Sequence, residues 1–147
     1  MSTDQTDAAR AREPFVPAAP YELVIGGEAV PASGGFEAVD PSSGLPWATI
    51  PQAGVADVNA AVAAARAAAK SWAASSAETR QLMLWRLADA VEAEPERWAR
   101  LLATENGRPI REALLADVPT CAGILRFFSG VTRSHHGSQI PVERADS

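Results

Sequence analysis

The hydrophobic pattern of this 147-residue chain changes period once, at Gly54, and that change does most to limit what the chain can fold into. Upstream, apolar residues alternate as on a half-buried strand; downstream, they recur every three to four residues, as on an amphipathic helix. In the first part Tyr21, Leu23 and Ile25 share one face. Gly26-Gly27 supplies the positive φ values of a two-residue hairpin turn, and Ala29-Val30 begins the return strand. Phe36 to Val39 reads as a further short strand. Asp40-Pro41-Ser42-Ser43-Gly44 is a turn, with Pro preset for a turn position and Gly free to take positive φ. Trp47 to Ile50 reads as the last strand of this small β unit, stopped by Pro51.

From Gly54 onward Val55, Val58, Val62, Ala65, Ala69 and Trp72 fall at spacings of 3, 4, 3, 4 and 3, one face of a helix. Alanine fills 31 positions of the chain, so an alanine-rich helix is weaker evidence of selected packing here than usual. Ser75-Ser76-Ala77-Glu78 carries Ser and Glu three apart, the spacing of a capping box that opens a second helix with Leu82, Leu84, Leu87 and Val91. Pro95 suits the first turn of a third helix, whose apolar face is Trp98, Leu101 and Leu102 and whose stop signal is Asn106-Gly107. A fourth begins near Ile110 and repeats at Leu114, Val118, Cys121, Leu125 and Phe128, with a kink or restart expected at Pro119. Ile140-Pro141-Val142 looks like the start of another strand, and the chain reads as cut there.

Composition excludes several classes. With 47% hydrophobic and 21% charged residues the chain is an ordinary globular sequence, and disorder throughout is excluded. A net charge of −5 argues against nucleic-acid or anionic-membrane partners. No apolar run is read as a membrane span, and the polar N-terminus is not a secretory signal. A single cysteine, Cys121, excludes an internal disulfide framework and fits a reducing, cytoplasmic setting. Residues 1–20, with Pro14, Pro17 and Pro20, read as a flexible arm, 21–142 as the folded region and 143–147 as a tail.

Residue chemistry by itself supplies no catalytic constellation. Cys121 sits on the apolar stripe of the fourth helix between Val118 and Leu125, so a buried structural thiol is expected rather than a nucleophile. His135 and His136 are adjacent, whereas a metal-binding pair on a helix prefers positions four apart. Glu92, Glu94 and Glu96 read as a solvated junction between helices, with the last two also placed to favour a helix N-terminus. Neither Gly26-Gly27 nor Gly34-Gly35 runs from a strand into a helix, so neither is a phosphate cradle. Trp47, Trp72, Trp85 and Trp98 are read as core.

The order of short motifs nevertheless resembles the aldehyde dehydrogenase superfamily. Tyr21 to Val30 is similar to its opening hairpin, and Val39-Asp40-Pro41-Ser42-Ser43-Gly44 to its Val-Asn-Pro-x-Thr-Gly turn. Asp57 to Arg66, with Trp72, resembles its first helix, and Arg80 to Ala90 its Arg-x-x-x-Leu-x-x-Leu-Ala-Asp helix. Glu105-Asn106-Gly107-Arg108-Pro109 resembles the Asp/Glu-x-Gly-Lys-Pro signature. Arg126 to Gly130 and His136 to Pro141 resemble Arg-Tyr-Tyr-Ala-Gly and His-Gly-x-x-Ile-Pro. The resemblance runs from about Tyr21 to Val142, and order and spacing carry it more than any one motif.

That resemblance implies an incomplete α/β fold, the N-terminal part of a cofactor-binding domain. It also implies a reaction that oxidises an aldehyde to a carboxylic acid with NAD or NADP. The family's nucleophile, general-base, oxyanion and cofactor-glycine segments follow the region matched, so no catalytic and no cofactor-binding residue is assigned in this chain. The surroundings of Cys121, Pro-Thr-Cys-Ala-Gly, do not match the nucleophile segment. The resemblance further implies a monovalent cation held by Glu105 and by backbone oxygens at Ala38 and Val39. Glu105 equally reads as a group that caps or pairs near a helix end. It places Ala116 and Thr120 along the substrate tunnel. The chain is then expected to be inactive alone, its aldehyde substrate bound only in a complete enzyme, and its partner the missing C-terminal portion or a homologous subunit. The alternative is a non-catalytic helical module, or a relic, that docks on another subunit.

Overall fold

The computed structural model describes residues 15–134, together with His136 and Ser138. Residues 1–14 of the expected arm, His135, the strand start at Ile140-Pro141-Val142 and the tail at 143–147 lie outside the described residues. Strands β1 (Leu23–Ile25) and β2 (Glu28–Val30) form an antiparallel hairpin with Ile25 opposite Glu28. Gly26 and Gly27 take φ of 65° and 89°, the conformation a tight primed turn demands of both central residues. Strand β3 (Gly34–Val39) pairs antiparallel with β4 (Pro46–Gln52), with a bulge at Ala38/Val39. β4 runs through Pro51, which stands opposite Gly35, so Pro51 does not stop the strand as expected. Within the described sheet β4 has one partner, and proline is tolerated on such an edge because a donor there is not obligatory.

Helix α1 spans Val55–Ala74, and the Asp57 carboxylate accepts the Gly54 N–H at 2.8 Å in its first turn. No residue of α1 is buried: Val55 is 80% exposed and Trp72 51%. The apolar face read from the sequence exists, and the β1–β2 hairpin lies against its N-terminal half, while Arg80 lies over Trp72 at its end. Helix α2 (Ala77–Ala93) is capped by Ser76, whose hydroxyl accepts the Thr79 N–H at 3.0 Å. The expected Ser75/Glu78 box is thus replaced by Ser76/Thr79, one residue on. Ser75 instead closes α1, donating its hydroxyl to the Trp72 carbonyl. Helix α3 (Pro95–Asn106) opens on Pro95 and ends at Gly107, φ 75°, whose N–H reaches the Ala103 carbonyl.

Helix α4 runs Ile110–Val131 and packs most extensively against α2. The restart expected at Pro119 takes the form of a π turn: Ala113–Asp117 widens, the Val118 N–H donating to the Ala113 carbonyl, and the α period resumes at Val118 with Pro119 in its first turn. Pro119 has no N–H to offer the Leu115 carbonyl, and its ring crowds that turn, so the helix widens just ahead of it. The extra residue resets the buried face. Ala113, Val118, Ala122 and Ser129 point inward, while Cys121 and Phe128 of the expected stripe are exposed. Cys121 is therefore not the buried thiol the uninterrupted α period implies. By length and composition α4 could cross a bilayer, unlike the reading of no such run, although its inner face is packed against α2 and α3. The core is Ala99, Ala113 and Val118, with Val91, Leu102, Ile110 and Leu114 around it. Small residues predominate at the fully buried positions, so the helices approach closely.

Candidate functional site

Two places in this frame carry the residues singled out from the sequence. The first is the turn after β3. Asp40 is 6% exposed, and its carboxylate accepts the Ser42 hydroxyl at 2.6 Å, the Ser42 N–H at 2.8 Å and the Ser43 hydroxyl at 2.9 Å. These bonds, the Ser42 hydroxyl foremost, hold its pKa below the ordinary aspartate value. The Asp40 backbone closes the same turn, its N–H donating to Leu45 and its carbonyl accepting from Gly44. A side chain on Gly107 would meet Pro41 Cγ at 3.1 Å, so the end of α3 lies directly against this turn. Ala38 is half-buried and Val39 half-exposed on the strand leading into the turn, and Glu105 is exposed on the last turn of α3. The fold thus brings the segment after Val39 against the residue two positions beyond Glu105. Among the described residues no three His, Cys, Asp or Glu side chains cluster as a metal site.

The second place is the outward face of α4. Ala116, on the π turn, and Thr120, four residues on, are both exposed. Ile124 and Phe127 continue that row, Phe127 at 67% exposure.

Other expectations resolve plainly. Glu92, Glu94 and Glu96 are exposed, as a solvated junction requires, and the first two also form surface ion pairs. Arg126 pairs with Asp89 at 3.0 Å and with Glu92, and Arg97 with Glu94 at 3.1 Å. The two carboxylates, Glu92 foremost, raise the Arg126 pKa. Three tryptophans are not core. Trp72, Trp85 and Trp98 lie about half-exposed, each with an arginine over its ring (Arg80, Arg126 and Arg97). Trp47 is half-buried, edge-on to Phe15 and Tyr21. Phe15, which belongs to none of the sequence motifs, also donates its N–H to Thr104 at 2.8 Å. The lone aromatic among the prolines of 14–20 is the signal that could have found it. Gly26-Gly27 turns between antiparallel strands and Gly34-Gly35 opens β3, so neither fits a dinucleotide pyrophosphate. His136 is exposed.

Comparison with known proteins places this arrangement. The model of the Aldehyde dehydrogenase family matches residues 30–147. Acetaldehyde dehydrogenase 2 of Cupriavidus necator is 40% identical over 119 residues, covering 80% of this chain and 24% of that protein. The NAD+ complex of aldehyde dehydrogenase from Bacillus cereus superposes with a TM-score of 0.81 at 30% identity, over 98% of this chain and 29% of that one. PnpE, known from Pseudomonas sp. WBC-3, in complex with nicotinamide adenine dinucleotide gives 0.80 at 38% identity, over 85% and 26%. The chain spans about a quarter of the length of the curated relatives it matches. With the motif order, the paired hairpins and the helical layer all accounted for, this chain belongs to the aldehyde dehydrogenase family and has part of that family's fold.

Proposed function

We propose that this chain supplies the outer hairpins and helices of the cofactor-binding domain of an NAD(P)-dependent aldehyde dehydrogenase, and that it does not oxidise aldehydes alone. The observation that carries the reading is the family match over residues 30–147, which takes in the motifs from Val39 to Pro141. The chemistry argues for inactivity alone. Aldehyde oxidation needs an activated thiolate, donors for the oxyanion, a base for water and a seat for the nicotinamide. Cys121 is exposed on α4, among the described residues no three His, Cys, Asp or Glu side chains cluster, and neither glycine pair fits the cofactor. Aldehyde and NAD or NADP are then bound only with the rest of an enzyme. The test is reduction of NAD+ or NADP+ by the purified chain with acetaldehyde or a longer aldehyde. No reduction above the protein-free blank is expected, and turnover removed by Cys121→Ala would overturn the reading.

Within this reading Glu105, with backbone oxygens at Ala38 and Val39, holds a monovalent cation, and the junction of the β3 turn with α3 supports it. A melting temperature that rises with potassium or sodium, but not with choline at equal ionic strength, and that loses this response in Glu105→Ala, is the expected result. Ala116 and Thr120 border the substrate channel, which their exposure on α4 favours. A second reading, a non-catalytic module or relic docking on another subunit, draws on the unburied faces of α1 and α4.

A further inference from the structure

We propose that Arg108 is a positioning residue: by pairing with Asp117 it selects the π-turn register of α4, and so decides which residues of that helix face outward. The sequence of α4 offers two inward stripes. One is Ile110, Leu114, Val118, Cys121, Leu125 and Phe128, the row an uninterrupted α-helix would bury. The other is Ala113, Val118, Ala122 and Ser129, the fully inward row; Ile110, Leu114 and Val118 of the first row pack at the core as well, and the two rows part only beyond Val118, where Cys121 and Phe128 turn outward. The five-residue step from Ala113 to Val118, bridged by the Val118 N–H to Ala113 carbonyl bond, separates them. Removing that step turns the following residues by roughly 100° about the axis and carries Cys121 inward.

Pro119 permits the wide turn, but the Arg108 pair fits one register only. Arg108 is anchored on both sides. Gly107 lies against Pro41, and the Pro109 carbonyl accepts the N–H groups of Glu112 and Ala113 at 2.9 and 3.1 Å. From that fixed point its guanidinium binds Asp117, the last residue of the π turn, and lies 3.8 Å from Glu112. In the α register Asp117 rotates away from it. The pair is partly shielded, with 42% and 31% of the side chains exposed, so it biases the turn without dominating the fold. The inference rests on the proposed channel role of Ala116 and Thr120 only for what the register is for; the register itself is tested without aldehyde or cofactor.

The test is amide hydrogen exchange on the full chain, comparing wild type with Arg108→Gln, Asp117→Asn and the conservative Arg108→Lys. The amides of Val118, Thr120, Cys121 and Ala122 should exchange about three- to tenfold faster in the first two variants, the range a partly exposed ion pair allows. The α2 amides should be unchanged, and Arg108→Lys should restore most of the protection. Unchanged exchange at those four amides would overturn the proposal. So would equal acceleration in α2, which would make the pair a general contributor to stability rather than a device acting on one turn.

Discussion

Asp40 gathers the hydrogen bonds of its turn on one residue. Its carboxylate takes three hydrogen bonds from Ser42 and Ser43 while its backbone closes the turn on Gly44 and Leu45. Since these bonds lower its pKa in the folded chain, the stability they add is fully present above the ordinary aspartate range of about 4 and is lost as pH falls through the lowered native value. Acid titration of the wild-type melting temperature should therefore show a loss below that range that Asp40→Asn lacks, the variant being less stable at neutral pH. Parallel titration curves would show that the turn stands without the carboxylate. Gly107 faces a different demand. Its φ of 75° and the 3.1 Å approach of Pro41 leave no room for a side chain. Gly107→Ala is expected to cost about 1–2 kcal/mol, the penalty of a left-handed alanine plus the shift of Pro41, read as a lower denaturant midpoint at constant slope.

At the scale of elements, the cap of α2 separates two adjacent serines. Ser76 accepts the Thr79 N–H, whereas Ser75 donates to the Trp72 carbonyl of α1 and accepts from the Arg80 guanidinium. Ser76→Ala should cost about 1 kcal/mol of unfolding free energy, the usual loss of an N-cap. Ser75→Ala should cost less, because Arg80 still reaches the Trp72 and Ala73 carbonyls. Equal losses from the two would mean that the cap is shared. Elements of this kind were largely legible in the sequence, because their signals are local. Gly26-Gly27 made the hairpin, Pro95 opened α3 and Gly107 closed it. What escaped depended on neighbours distant in sequence or on an extra residue in a turn. The π turn ahead of Pro119 moved Cys121 and Phe128 from the inner to the outer face, and no α period reveals that step. Pro51 stayed in β4 because of where the strand lies in its sheet. The aromatic rings at 72, 85 and 98 read as core until their arginine partners, supplied in part by other helices, were placed. At the candidate site, the motif order located Ala38, Val39, Glu105, Ala116 and Thr120. The closeness of the β3 turn to α3 came only from the fold, through Pro41 and Gly107.

At the scale of the molecule, the distribution of large side chains is inverted relative to a self-sufficient domain. The fully buried positions hold small residues (Ala88, Ala99, Ala113, Ala122 and Ser129), while Val55, Trp72, Leu115, Phe127 and Phe128 stand out in solvent. Small inner residues let α2, α3 and α4 approach closely, but they remove little apolar surface per residue, and burial near 25 cal/mol per Å² is what must offset the entropy of ordering. α4 is apolar on both sides, and among the described residues only one side is covered, the pattern of a helix that belongs between two layers. The relatives carry this same arrangement within chains of which the matched part makes up about a quarter. The described structure therefore predicts that the purified chain binds a hydrophobic dye such as ANS under native conditions and scatters as a species larger than its 15.4 kDa monomer. Replacing Phe127 and Phe128 together by serine should reduce both signals while leaving the far-UV helical spectrum in place, since neither ring is buried here. A monomer that excludes the dye and unfolds in one sharp, two-state transition would contradict this. It would mean that the small-residue core suffices, and that α1 and α4 keep their apolar faces in water without needing a covering layer.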